Sequence, residues 1–460
     1  MENNQQKLID AIQSKITAGS SNNLKAFLAG IDQLELLEAV EELNAEEQAI
    51  IFPLLPKDKA YFIFEQLATS DQHQLIDSFK GEEAQELVEE LPPDDRVRLF
   101  DDLPKEEADK LLEGLSPKEQ QSTNLLMSHQ PQTAGRIMTT QYVNISPHIS
   151  AHKALEKVKE RAKEKETIYI IYVTDNLGKL VGALSLRELL TAEPGAKVSD
   201  FMKTSLITVQ LDTDQEEVAR LLQKLDLLAI PVVDEQDTLV GIVTVDDAMD
   251  ILEAEATEDM LGKAGISSGL AKDQSKQSNT LINGSIWRIW RVRLPFLFLT
   301  LGGGLLAGSV IGAFEDVLEQ VVFIAVFIPV IMGMGGNVGV QSSTIFLRGM
   351  ILGHIREETL WRHILKEVTV GFSMGAVVGI IIGLIAWLWQ GIPQLGLAIG
   401  LSLIIAMTVA CFLGFMIPYL LAKLHIDQAA GTDPLITTIK DVLALLIYFS
   451  LVRLFLGYLL

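Results

Sequence analysis

Three regimes of hydrophobic patterning follow one another along the chain. Up to about residue 130, Leu, Ala and Ile recur at helical spacing among Glu and Gln, in short stretches closed by "LPPDD" from Leu91, "LPKEE" from Leu103 and "LSPKE" from Leu115. Those leucines are 12 residues apart, and "LPKDK" at Leu55 begins in a similar way. Proline in a first helical turn followed by acids suits the positive end of a helix, so the pattern predicts short helices stacked into a small superhelix. From about 135 to 256 the period changes to strand, polar turn, strand and helix, written twice. "IYVTDNLGKLVGALSLRELL" from Ile171 and "IPVVDEQDTLVGIVTVDDAM" from Ile230 agree at six of twenty positions, at an offset of 59: Ile171/Ile230, Val173/Val232, Asp175/Asp234, Leu180/Leu239, Val181/Val240 and Gly182/Gly241. Each copy follows "IMTT" (from Ile137) or "FMKT" (from Phe201), a short strand and an amphipathic helix.

The third regime is apolar. Five stretches, about 294–313, 321–346, 368–390, 395–422 and 433–459, are long enough to cross a bilayer as helices. "WRIWRVR" from Trp287 is an aromatic and basic interfacial anchor. The loops at 314–320 and 391–394 hold no Lys or Arg, whereas 347–367 holds Arg348, Arg356, Arg362 and Lys366, and 423–432 holds Lys423. The positive-inside rule then puts the N-terminal domains in the cytoplasm and the C-terminus outside. Gly371, Gly375, Gly379 and Gly383 mark one face for close helix packing, a dimer contact included. Pro329 and Pro418 are expected kinks.

Charge separates the halves. From Gln274 onward 11 Lys and Arg face 9 Asp and Glu, so the totals of 37 and 60 leave 26 and 51 for the first 273 residues, a net of −25. So acidic a soluble part argues against nucleic acid and against anionic lipid, and fits cations; an acidic face kept for solubility is the ordinary alternative. The single Cys411 forms no internal disulfide and is compatible with a reducing cytosol. "MENNQQKLID" lacks the apolar core of a secretory signal, so the membrane segments are expected to direct insertion.

Chemistry is expected at three places. Asp441 lies in the N-terminal half of the last apolar stretch, where a charge costs roughly 2.5–3.5 kcal/mol on insertion scales. An ion pathway explains that cost; an interfacial Asp, or one paired with Lys440, is the bland reading. Asp427 and Asp433 precede it on the cytoplasmic side and extend a carboxylate route. In the second stretch, Gly333, Gly335, Gly336 and Gly339 accompany the neutral oxygens of Asn337, Gln341, Ser342, Ser343 and Thr344, which suits a water-lined cavity or a packing face. Hard divalent cations take oxygen ligands, and two-fold symmetry would bring two Asp441 together. In "VDDAMDILEAEATEDMLGKAG" from Val245, Asp247, Asp250, Glu255, Glu258 and Asp259 include pairs at i,i+3 and i,i+4, whose repulsion a bridging divalent cation would remove. From Lys263 to Ser285 the composition is that of a linker.

The repeat resembles a tandem pair of CBS domains, sensor modules for adenine nucleotides or metal ions that usually dimerise. Essentially the whole chain resembles the MgtE-type magnesium transporter family. The residues that carry this are "TAGRIMTT" from Thr133, "LLAIPVVDE" from Leu227, "GIVTVDDAMDILEAEATEDM" from Gly241, the Gly-rich second stretch and "DPLITTIKDVLALLIYF" from Asp433. The resemblance implies an all-α superhelical N-domain (1–132), an α/β CBS pair (133–198 and 199–256), a plug helix with linker (247–285) and a five-helix α-helical transmembrane domain (286–460). It implies a homodimeric Mg²⁺-selective channel-like importer of the cell membrane, with the pore between subunits. The family's pore aspartate falls on Asp441, and Asn337 matches a lining residue. Cytosolic Mg²⁺ bound among N-domain, CBS pair and plug would hold it closed. The acids that match this role are Asp95, Asp214, Glu216, Asp226, Asp247, Asp250, Glu255, Glu258 and Asp259. ATP binds the CBS pair of some members, and Arg187 and Glu188 fall about where such contacts would lie. Ala444 stands where the family has Gly. The competing readings are a transporter of Mn²⁺ or Co²⁺, and a membrane-anchored sensor regulating a partner. A P-loop and a His-Glu-x-x-His motif are both missing from the sequence, so an enzyme is not expected.

Overall fold

The computed structural model describes residues 2–18, 21–67, 69–79, 81–162, 165–263, 281, 285–351, 353–424 and 432–457. The chain divides into two compact units, Met1–Glu255 and Ala256–Leu460.

In the first unit the 12-residue rhythm is longer than the sequence pattern indicates. Helices Lys57–Gln66, Thr69–Ser78, Gly81–Glu90, Pro93–Asp102 and Lys105–Gly114 each end just before Leu67, Phe79, Leu91, Leu103 and Leu115, and Leu55 precedes the first. These closing residues share one apolar core with Ile63, Phe64, Leu75, Val88 and Leu99. Acids in the first turns, such as Asp94 and Asp95 after Pro93, complement the helix dipoles. Arg96, on helix Pro93–Asp102, is fully buried against helix Gly81–Glu90 and the following helix, Pro117–Met127. It donates to the carbonyls of Val88 (2.9 Å), Glu89 (2.9 Å) and Leu91 (2.7 Å), and to Thr123 Oγ1 and Glu119 Oε2 (3.0 Å each). A guanidinium enclosed this completely is stable only because all its donors find acceptors.

The repeat folds as two three-stranded sheets of matching register. β1 (Val143–Ile145) runs parallel to β2 (Ile170–Thr174), which pairs antiparallel with β3 (Leu180–Ser185). β4 (Val209–Gln210), β5 (Ala229–Val233) and β6 (Leu239–Thr244) repeat the order, with an irregularity at the equivalent place, after Val173 and after Val232. The identical Asp175 and Asp234 close the turns: Asp175 Oδ1 accepts from Leu177 and Lys179 N, Asp234 Oδ1 from Gln236 and Thr238 N, all within 2.9 Å. The identical glycines leave room for the methionines. A Cβ on Gly182 would lie 2.7 Å from Met202 Sδ, and one on Gly241 would lie 2.5 Å from Met138 Sδ. Each Met-Thr or Met-Lys segment therefore crosses to the other half: Thr139 pairs with Ile242, Lys203 with Ala183.

Among its described residues the second unit has five long helices: Ile286–Ala313, Ile328–Ile351 (extended by a 3₁₀ turn from Val322), Leu360–Gln390, Pro393–Lys423 and Thr432–Leu456. The first four meet the length and hydropathy of a membrane span; the fifth carries Lys440, Asp441 and Arg453 within an otherwise apolar run. The helices begin earlier than hydropathy alone places them, at residue 286 and residue 360, because charged side chains decorate their first turns. Pro329 is the second residue of its α-helix rather than a mid-helix kink, whereas Pro418 lies inside. The Gly371/Gly375/Gly379/Gly383 face is buried within this one chain. A Cβ on Gly379 would lie 2.6 Å from Gly400 O, and one on Gly383 would lie 2.7 Å from Gly396 O. The stripe thus seats the third long helix on the fourth and leaves no face for a dimer contact there.

Candidate functional site

Two constellations stand out, one in each unit. In the first, Asp94 from helix Pro93–Asp102, Glu166 ahead of β2 and Asp247 in the first turn of helix Val245–Lys263 converge, each offering a carboxylate oxygen within 4.8 Å of the others. They arrive from three chain segments, and each is held there for a reason. Val97, one turn after Asp94, is buried in the core of the second sheet half with Val209, Val232 and Val243. Arg136 of the "TAGR" joint is paired twice with Asp101 and donates to Leu126 O, which ties the helical repeats to the sheets. Thr244 Oγ1 donates to Asp247 Oδ2 at 2.7 Å.

The electrostatics of this cluster are costly. Asp94 is buried, and its Oδ1 and Glu166 Oε2 have no hydrogen-bond partner. Burial, then the Asp247 and Glu166 charges, push the Asp94 carboxyl well above the ordinary range. Burial likewise raises Glu166 and Asp247 to about 7 each, against the pull of the Thr139 and then the Thr244 hydroxyl on Glu166 and of the Thr244 hydroxyl on Asp247. Like charges enclosed together cannot all ionise unless a cation joins them. Beside them, Arg98 bridges Asp95 (2.7 Å) and Asp250 (3.2 Å), and burial raises the Asp95 carboxyl.

The cluster brings together only some of the acids expected from the sequence. Asp247 belongs to it, but its N-domain member is Asp94. Asp95 turns to Arg98 instead, since neighbours on a helix point about 100° apart. Asp94 shares a helix face with the buried Val97, a spacing that could have singled it out; Glu166, inside the charged run "KEKE", gave no such signal. The other expected acids have local duties. Asp214 caps helix Gln215–Leu225, accepting from Glu216 N at 2.9 Å; Glu216 pairs with Arg220; Asp226 ends that helix in the left-handed conformation. Glu255 accepts from Gln215 Nε2 at 2.8 Å. Glu258 and Asp259 lie farther along helix Val245–Lys263, past the boundary of the first unit. Glu188 forms a capping box with Ser185 and an ion pair with Lys203 (3.3 Å), and backbone hydrogen bonding holds its carboxyl low; Arg187 is exposed.

In the second unit, Lys440 is almost fully buried and donates to Gly336 O at 2.9 Å. Its aliphatic chain fills the space left by Gly339, where a Cβ would lie 2.3 Å from Lys440 Cδ. Asp441, the next residue, is half-buried and turned to another side. Ala444 is buried at the same crossing, and a Cβ on Gly335 would meet it at 3.9 Å, an ordinary contact; the methyl group takes the place of the expected Gly without crowding. Gly333, Asn337, Gln341 and Thr344 lie on a stripe of helix Ile328–Ile351 that the rest of the chain leaves uncovered, while Ser342 and Ser343 are buried, Ser342 donating to Glu367 at 2.7 Å. Asp427 lies outside the described residues, as does the side chain of Asp433.

Comparison with known proteins agrees along the whole chain. Family models match residues 31–132 (MgtE intracellular N domain), 134–195 and 198–254 (CBS domain), and 328–451 (MgtE, divalent cation transporter). The magnesium transporter MgtE of Thermus thermophilus is 34% identical over 457 residues, 98% of this chain and 99% of that protein. The magnesium transporter MgtE of Bacillus subtilis is 40% identical over 337 residues, 73% of this chain and 72% of that one. Among solved structures, the cytosolic domain of the Mg²⁺ channel MgtE in complex with ATP superposes with a TM-score of 0.50 at 34% identity, covering 53% of this chain and 99% of that one.

Proposed function

The chain belongs to the MgtE family of divalent cation transporters, and we propose that it is a Mg²⁺-selective, channel-like importer of the cell membrane that cytosolic Mg²⁺ closes. The observation that carries the gating half is the Asp94/Glu166/Asp247 cluster. Three carboxylates from the N-domain, the first repeat and the second repeat meet with two oxygens unpartnered. Their chemistry fits a hard divalent cation, which takes carboxylate oxygens and keeps some of its own water. Bound there, Mg²⁺ supplies the positive charge that lets all three ionise, and the residues in turn tie the helical repeats to the sheets and to helix Val245–Lys263. The other acids expected as regulatory ligands, Asp95, Asp214, Glu216, Asp226, Asp250, Glu255, Glu258 and Asp259, would hold further Mg²⁺ in the closed state.

The conducting half rests on the uncovered polar stripe of Gly333, Asn337 and Gln341 and on Asp441. A polar stripe is costly against lipid, and a second copy of the chain would cover it and pair two Asp441 around a water-filled path. Asp433 and Asp427 would lead to that path from the cytoplasmic side, with the C-terminus outside. ATP would bind the CBS pair through the exposed Arg187, Glu188 being engaged in its capping box. The protein acts as a transporter and not as an enzyme.

Flux into proteoliposomes holding only this protein tests the reading. Mg²⁺ uptake should fall as Mg²⁺ rises on the soluble-domain side, and Asp441→Ala should abolish Mg²⁺ preference. Absence of flux from folded dimeric protein at every Mg²⁺ level would favour the sensor reading.

A further inference from the structure

A second metal-ligating group lies in the helical repeats, away from the acidic cluster. His73 and Asp77 stand at i,i+4 on helix Thr69–Ser78, so their side chains share a face. Glu107 reaches the same point from the first turn of helix Lys105–Gly114. His73 Nε2 lies 3.7 Å from Asp77 Oδ2 and 3.4 Å from Glu107 Oε2. Four ligands at 2.0–2.2 Å from a tetrahedral ion sit roughly 3.3–3.6 Å apart, so both carboxylates already stand near that separation from the imidazole, and all three donors lie within 4.8 Å of one another. The side chains are partly exposed (24% for His73, 54% for Asp77, 44% for Glu107), which leaves the remaining positions open to water.

We propose that His73, Asp77 and Glu107 form a binding site for a borderline divalent cation of the Zn²⁺ or Co²⁺ class. The donor set decides the class. Mg²⁺ and Ca²⁺ take oxygen, whereas imidazole suits Zn²⁺, Co²⁺ and their neighbours. The all-carboxylate cluster at Asp94 and this mixed site would then answer to different ions in one soluble unit. The site does not depend on transport: a chain that conducts nothing could still hold the ion, and the reverse.

The test is Co²⁺ titration of the full chain in nanodiscs under excess Mg²⁺, which occupies the oxygen-only sites. Visible absorption of nitrogen-ligated Co²⁺ should appear, saturate at about one ion per chain, and be displaced by Zn²⁺. His73→Ala should abolish that band, and Glu107→Gln should weaken binding at least about tenfold. Glu107 is a half-exposed side chain on the other helix, so its variant should keep the parent's metal-free thermal midpoint and serve as the folded control. A band that survives His73→Ala unchanged, or no Co²⁺ binding by the parent under excess Mg²⁺, would overturn the assignment.

Discussion

The two halves of the CBS pair place the same kind of residue at the same position and treat it in opposite ways. Glu188 and Asp247 are related by the 59-residue offset, as are Ser185 and Thr244. In both halves the hydroxyl donates to the carboxylate, at 2.9 Å and 2.7 Å. The first half then completes a capping box and adds Lys203, which lowers Glu188. The segment equivalent to Lys203 carries the neutral Thr139 in the second half, and two further acids face Asp247 there. The first half satisfies its charge with its own chain. The second leaves it unsatisfied, so an ion from solution can supply what Lys203 supplies in its counterpart. Duplication provides a frame, and the exchange of Lys203 for Thr139, with the two added acids, separates a charge paired within the chain from one left among like charges.

The strongest way to break this contrast is to remove the acid in each half. Asp247→Asn should weaken Mg²⁺ binding by about 10–100-fold and leave uptake open at high internal Mg²⁺, whereas Glu188→Gln should leave Mg²⁺ sensitivity unchanged. Mg²⁺ titrations of the two variants decide it. Next in size is the transplant Thr139→Lys. An ammonium beside Glu166 should take the place of the cation, keeping the helical repeats protected from protease without Mg²⁺ and lowering Mg²⁺ affinity at least about tenfold.

Acidity sharpens the contrast further. Without a cation, Glu166 and Asp247 titrate near 7, above the value of about 4 in an unfolded chain. The folded state therefore binds more protons there; this stability is fully present below the unfolded value and is lost as pH rises through about 7. The Mg²⁺-free thermal midpoint should fall between about pH 6 and pH 8, and added Mg²⁺ should restore most at the alkaline end, where it meets no competing proton. Ser185→Ala is the smallest change: it should cost about 1 kcal/mol of stability in denaturant melts with no shift in Mg²⁺ response.

Much of this architecture is legible in the sequence because it is periodic. The 12-residue leucines, the repeat with its two turn aspartates and two glycines, and the apolar stretches each reflect a local rule that the fold obeys. The acid cluster is less legible because its members come from distant segments. Asp247 could be picked from the helix that follows the repeat, but choosing Asp94 over Asp95 needs the face of one short helix. Glu166 lies among like residues with nothing to mark it. The glycine stripe at Gly371–Gly383 is legible as close packing, but its partner, the fourth long helix, shows only in three dimensions.

The central claim is that Asp94, Glu166 and Asp247 exchange shared protons for a divalent cation. Calorimetric Mg²⁺ titration of the full chain in nanodiscs, near pH 6.5 and in buffers of different ionisation enthalpy, measures that exchange directly. The account predicts the release of about one proton or more per Mg²⁺ bound, reduced in Asp247→Asn. Mg²⁺ binding without proton release, and equal in parent and variant, would contradict it.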